Sequence, residues 1–66
     1  MAAEDVGKEI RLERILVHGM TLSALSEASG VAKGNLSEIE NGKKSPTVKT
    51  LRKIAKGLGI HPGDLL

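Results

Sequence analysis

Gly19, Gly30, Gly42 and Gly59 cut this chain into stretches too short for long helices, and between them the apolar residues recur at helical spacing. From Ala3 to Val17, the residues Val6, Ile10 and Val17 lie close on one helical face with Leu16 beside them, and Glu4, Arg11 and His18 lie opposite. Gly19 breaks that helix. Thr21 suits the N-cap of a second one, Leu22 to Ala28, with Leu22 and Leu25 facing inward. Gly30, central in "SGV", accepts the left-handed conformation that ends a helix sharply. A third helix is expected from about Ala32 to Glu40, with Leu36 and Ile39 as its apolar contacts and Asn41-Gly42 as its stop. Ser45 then reads as a cap and Pro46 as the first position of a fourth helix. Its inward stripe is Val48, Leu51, Ile54, Ala55 and Leu58, with Lys49, Arg52, Lys53 and Lys56 left in water. After Gly59, "HPGDLL" opens a last short helical turn whose Leu65 and Leu66 either cover the core or face another subunit. No strand signal competes, so the expectation is an all-α single domain over residues 1–66, a compact bundle of five short helices.

Sixty-six residues leave no room for a large active-site cavity, and no cysteine is present to staple the fold. His18 and His61 are far apart in sequence without matching ligands, so they read as surface side chains, and no metal site is expected. No nucleophile–base pair, glycine-rich phosphate loop or carboxylate dyad suggests catalysis or a cofactor. No uninterrupted apolar run exceeds three residues, as at Ile15 to Val17, so neither a membrane span nor a signal core is expected and the chain reads as cytoplasmic. The net charge of +2 divides unevenly: residues 1–30 carry −2 and residues 31–66 carry +4. A polyanion is a natural partner for the second half. Its type is narrowed by the absence of Phe, Tyr and Trp, because proteins that grip single strands stack bases on aromatic rings. Duplex DNA, met through groove edges and phosphates, is the nucleic acid left.

Two short helices joined by a tight turn with a central glycine form the helix-turn-helix pattern, whose second helix enters the major groove. The residues add to the pattern. With "IRLER" in the first helix, "TLSALSEASGVAKGNLSEIENGK" across the next two, "SPTVKTLRKIAKGLGI" and a final "DLL", the chain from Gly7 to Leu66 resembles the lambda-repressor-like helix-turn-helix family of Cro/CI or XRE type. The motif itself spans residues 22–41.

The resemblance implies a DNA-binding transcriptional regulator, expected to be a repressor acting as a homodimer. Residues at or near the family's base-reading positions are Lys33, Gly34, Asn35, Ser37 and Glu38. Lys33 suits guanine or phosphate, Asn35 suits adenine, and Glu38 can accept from the cytosine amino group. Phosphate contacts fall to the start of the second helix, Thr21, Leu22 and Ser23, and to the loop Asn41, Gly42, Lys43 and Lys44, through backbone amides and lysines. The resemblance also pairs Glu40 with Arg14, turning that glutamate away from DNA as a structural ion pair. Three departures stand out. Leu22 replaces a frequent Gln, Ala32 replaces the usual Ser cap, and one extra residue separates Arg14 from Gly19. A protein-interaction module on the same fold, or a purely structural helical domain, would carry the same pattern without reading DNA.

Overall fold

The computed structural model describes residues 3–65, with side chains from Val6 onward. The expectations for Leu66 and for the Glu4 side chain therefore lie outside the described residues. Four α-helices form the domain: α1 (Ala3–Leu12), α2 (Leu22–Ser29), α3 (Lys33–Glu40) and α4 (Val48–Leu58). The fifth expected helix is a single 3-10 turn, Pro62–Leu65, closed by the Asp64 N–H donating to the His61 carbonyl at 2.9 Å. Among the described residues no helix is long and apolar enough to cross a membrane.

The core is one cluster in which Ile10, Leu25, Leu36, Ile39, Ile54 and Leu65 are fully buried. Leu65 is thus consumed by its own chain's core and offers nothing to a second subunit. Helix α1 packs on α3 and α2 packs on α4. Both contacts depend on a glycine inside a helix. A Cβ on Gly7 would collide with the carbonyl oxygen of Ile39 in α3, and one on Gly57 would lie 2.9 Å from the Cβ of Ser29 in α2. Only hydrogen fits at either point.

The end of the first helix departs from expectation. Instead of continuing to Val17 in α geometry, the chain widens into a π-turn over Glu13–Val17. The His18 N–H reaches back to the Glu13 carbonyl at 3.2 Å, and the Met20 N–H to the Arg14 carbonyl at 2.8 Å. A wide turn takes up one residue more than an α-turn, and this is where the extra residue between Arg14 and Gly19 goes. The cost falls on side-chain direction. Leu16 and Val17, expected to face inward, are 74% and 66% exposed, while Arg14 is buried.

The start of α4 also differs. Thr47, not Ser45, is the N-cap, its hydroxyl accepting the Thr50 N–H at 3.1 Å, and Pro46 precedes the cap instead of opening the helix. Ser and Thr are equivalent cap chemistry, and a proline fits just before or just after the cap, so spacing could not choose. Val48 consequently sits at the helix end, beyond the core, and is exposed; Leu51, Ile54, Ala55 and Leu58 are buried.

Ala32, the N-cap of α3, makes no side-chain cap bond. Ala32→Ser is expected to raise stability by about 1 kcal/mol by supplying an acceptor to the open amides of the first turn. Thermal unfolding of the two proteins measures it, and an equal or lower midpoint would show that those amides are already satisfied.

Candidate nucleic-acid interface

The connection between α2 and α3 is fixed by three hydrogen bonds. Gly30, at φ 75°, turns the chain, and its N–H donates to the Ser26 carbonyl at 2.9 Å. The Ser26 hydroxyl donates to the Val31 carbonyl at 2.7 Å, and the Val31 N–H donates to the Ser29 hydroxyl at 3.2 Å. Sequence reasoning found the glycine but not the two serines. The signal was there, since serine hydroxyls beside a turn commonly close it. Val31 is held buried, so the turn is anchored from below as well as within.

Helix α3 then buries Leu36 and Ile39 and presents Lys33, Gly34, Asn35 and Glu38 to solvent, with Ser37 half-buried. Lys33 with Ser37, and Gly34 with Glu38, lie one turn apart and share a face. A Cβ on Gly34 would meet nothing within 4 Å, so packing inside this chain does not require the glycine. The Asn35 side chain leans toward the following loop, its Oδ1 accepting from Lys44 Nζ at 3.1 Å.

The far end of α3 closes in a Schellman motif. Gly42, at φ 74°, donates its N–H to the Ile39 carbonyl at 3.1 Å, and the Lys43 N–H reaches the Glu38 carbonyl at 2.9 Å. The Asn41 N–H and its side-chain Nδ2 both donate to the Ser37 carbonyl, at 3.0 and 2.9 Å. These bonds correct part of the expectation for the loop. The amides of Asn41, Gly42 and Lys43 are used internally, so what this loop offers an anion is the Lys44 amide and the exposed ammonium groups of Lys43 and Lys44. At the other edge, the Thr21 hydroxyl takes the Ala24 N–H at 3.0 Å, and the opening amides of α2 at Leu22 and Ser23 have no carbonyl one turn back to bind. The Leu22 side chain packs against the core and contributes no polar group.

One ion pair fixes α3 to the first helix. Arg14 Nε and Nη2 donate to Glu40 Oε2 and Oε1, each at 2.8 Å, and Nη1 donates to the Met20 carbonyl at 2.9 Å. The side chains are 11% and 5% exposed. The hydrogen bond to Glu40 raises the Arg14 pKa above its ordinary value; burial opposes the rise, and the negative charge of Glu40 adds to it. Glu40, the last residue of α3, is thereby turned from the exposed face, and one guanidinium ties together the π-turn, the loop before α2 and the end of α3. The Met20 carbonyl is a partner the sequence did not indicate.

The sequence profile of the helix-turn-helix family matches residues 8–65, almost the whole chain. This chain belongs to the XRE-type helix-turn-helix family. Within the family it is 49% identical over 53 residues to the HTH-type transcriptional regulator SutR of Escherichia coli, an alignment covering 80% of this chain and 28% of that protein. The chain thus spans little more than a quarter of that relative's length. Among solved structures it is similar to the clp gene regulator ClgR of Corynebacterium glutamicum, at 35% identity and a TM-score of 0.89 over 98% of this chain and 83% of that one. The restriction-modification controller protein C.AhdI of Aeromonas hydrophila shares the fold at a TM-score of 0.91, covering 97% and 96% of the two chains at 23% identity.

Proposed function

We propose that residues 1–66 act as a single DNA-binding domain of a cytoplasmic transcriptional repressor, which sets α3 in the major groove of duplex DNA. The observation that supports this best is the combination of a polar, exposed α3 face with the ion pair that turns Glu40 off it. A helix presented in this way, rigidly held at both ends, is what base reading requires. Base contacts fall to Lys33, Ser37 and Glu38, with Gly34 allowing the backbone close approach. Phosphates are met by the opening amides of α2 at one edge and by Lys43 and Lys44 at the other. One such domain spans only a few base pairs, so the protein works as a two-fold homodimer on a palindrome. The alternative, a protein-interaction module, draws its support from the exposed Ile15, Leu16 and Val17.

Titration with duplex DNA at two salt concentrations, followed by binding-site selection from randomised duplex, tests the proposal. Affinity that falls as salt rises, together with enrichment of one sequence, is the expected result. Absence of binding at low salt favours the interaction module. Glu38 sharpens the test, because a carboxylate near phosphates weakens binding unless it reads a base. Glu38→Gln is expected to strengthen binding to random duplex and to relax the preference at one base pair per half-site, a contact of about 1–3 kcal/mol. The same enriched sequence from both proteins would show that Glu38 reads nothing.

A further inference from the structure

Among the described residues the exposed large hydrophobic side chains are Leu12, Ile15, Leu16, Val17 and Val48, and all but Val48 fall together at the end of the first helix. Leu12 lies one turn before Ile15 and Leu16, so these side chains and Val17 make one apolar patch. The π-turn sets it outward: within that turn Arg14 is buried while Ile15, Leu16 and Val17 are exposed. The chain's own core does not include them.

The charges around the patch indicate what covers it. DNA is a poor fit, because aliphatic carbons offer phosphates no donor. One turn away stand Lys8 and Arg11, both exposed, with Glu9 and Glu13, both half-buried. The signs are mixed and balanced. A two-fold contact brings residue i of one copy to residue j of the other, and j to i, so a mixed rim pairs with itself. The other broad unpartnered face fails that requirement. On α4 the exposed Lys49, Arg52, Lys53 and Lys56 recur at one-turn spacing on a helix without a carboxylate, so two copies would set like charges together.

Size sets the strength. A stable dimer hides about 800 Å² on each partner, about a fifth of the 4068 Å² that this domain exposes. Four side chains with their rim supply less, so the contact is weak in solution and counts most where DNA holds two copies close together.

We infer that the patch of Leu12, Ile15, Leu16 and Val17 is a self-association surface, covered by the same patch of a second copy across a two-fold axis. Its role on DNA rests on the function proposed above; the contact itself is measured without DNA.

Wild type is followed by sedimentation equilibrium and methyl NMR from micromolar to millimolar concentration. A reversible dimer is expected, with methyl shifts that track its population at Leu12, Ile15, Leu16 and Val17 and not at Val48. Leu16→Gln should weaken it at least roughly ten-fold, since an isologous contact loses the side chain twice. Val48→Thr, an exposed position outside the patch, should dimerise like wild type. Wild type that stays monomeric overturns the inference and leaves the patch to a different protein. Shifts centred on α4, or a Leu16→Gln protein that dimerises unchanged, overturn it too. Thermal unfolding checks that Leu16→Gln folds; should it not, Val17→Thr and the methyl map of wild type decide. On duplex with two half-sites, Leu16→Gln is expected to lose cooperativity and to keep its affinity for one half-site, and the reverse pattern counts against the inference. A wild type that binds no duplex removes the DNA reading alone, and the self-association result stands by itself.

Discussion

Arg14→Met is expected to cost the domain about 3–5 kcal/mol, because it leaves the Glu40 carboxylate, only 5% exposed, without the cation that binds both of its oxygens. A domain of this size holds only about 3–10 kcal/mol in total, so the variant should be substantially unfolded near room temperature. Exposed ion pairs give no such result; their removal costs about 1 kcal/mol or less. The difference is desolvation. Glu40 cannot regain water while α3 stays packed on α1, and the Met20 carbonyl loses its donor at the same time. Removing both charges, as in Arg14→Met with Glu40→Leu, should therefore recover much of the loss. Urea denaturation of the two single variants and the double one measures the coupling, and losses that simply add would refute it. The pH behaviour follows from the direction of the Arg14 shift. Folding raises that pKa, first through the hydrogen bond to Glu40, so its contribution is complete below the unfolded value and is lost only as pH rises through the higher folded one. That range lies beyond ordinary alkaline buffers, and alkali within them should leave the Arg14 side of the pair intact.

The parts of this fold that the sequence discloses are those decided by local chemistry. Gly30, Gly42 and Gly59 each end a helix with positive φ, a conformation that the absence of a Cβ makes cheap at those places. Leu36 with Ile39, and Leu51 with Ile54 and Leu58, follow helical spacing and are buried. What stayed hidden depends on which element lies across from which. The extra residue before Gly19 fits a longer loop equally well by spacing; it is taken up in a π-turn that contains Arg14, which is held inward by Glu40, a partner 26 positions away. The candidate site divides in the same way. Exposure of Lys33, Gly34 and Glu38 follows from the two buried residues of α3 and is legible. The pairing of Asn35 with Lys44, and the use of the loop amides by the end of α3, are matters of approach across a turn, which no spacing rule reports. The family resemblance pairs Arg14 with Glu40, while residue chemistry alone says only that a half-buried glutamate needs a cation.

Gly7 carries the other large expectation, and its sign is opposite to the usual one. A glycine inside a helix ordinarily costs about 1 kcal/mol relative to alanine, so on local grounds Gly7→Ala should stabilise α1. Its surroundings reverse this. The added methyl would strike the Ile39 carbonyl oxygen, with the Glu40 carbonyl oxygen 3.1 Å away. These are backbone atoms in the last turn of α3, which no rotamer change can move aside. Relief must come from separating α1 and α3, and that same separation stretches the bond between Arg14 and Glu40. Overpacking of this kind costs about 1–3 kcal/mol, and the strained ion pair should place Gly7→Ala at or above the top of that range. Gly34→Ala is the matched control, a helical glycine with nothing within 4 Å of the new Cβ, and it should gain up to about 1 kcal/mol instead. Urea midpoints of the two variants against wild type are expected to move in opposite directions. A Gly7→Ala protein as stable as wild type or more so would mean that the two helices part without loss, and the close contact of α1 with the end of α3 would then not be what holds α3 in place.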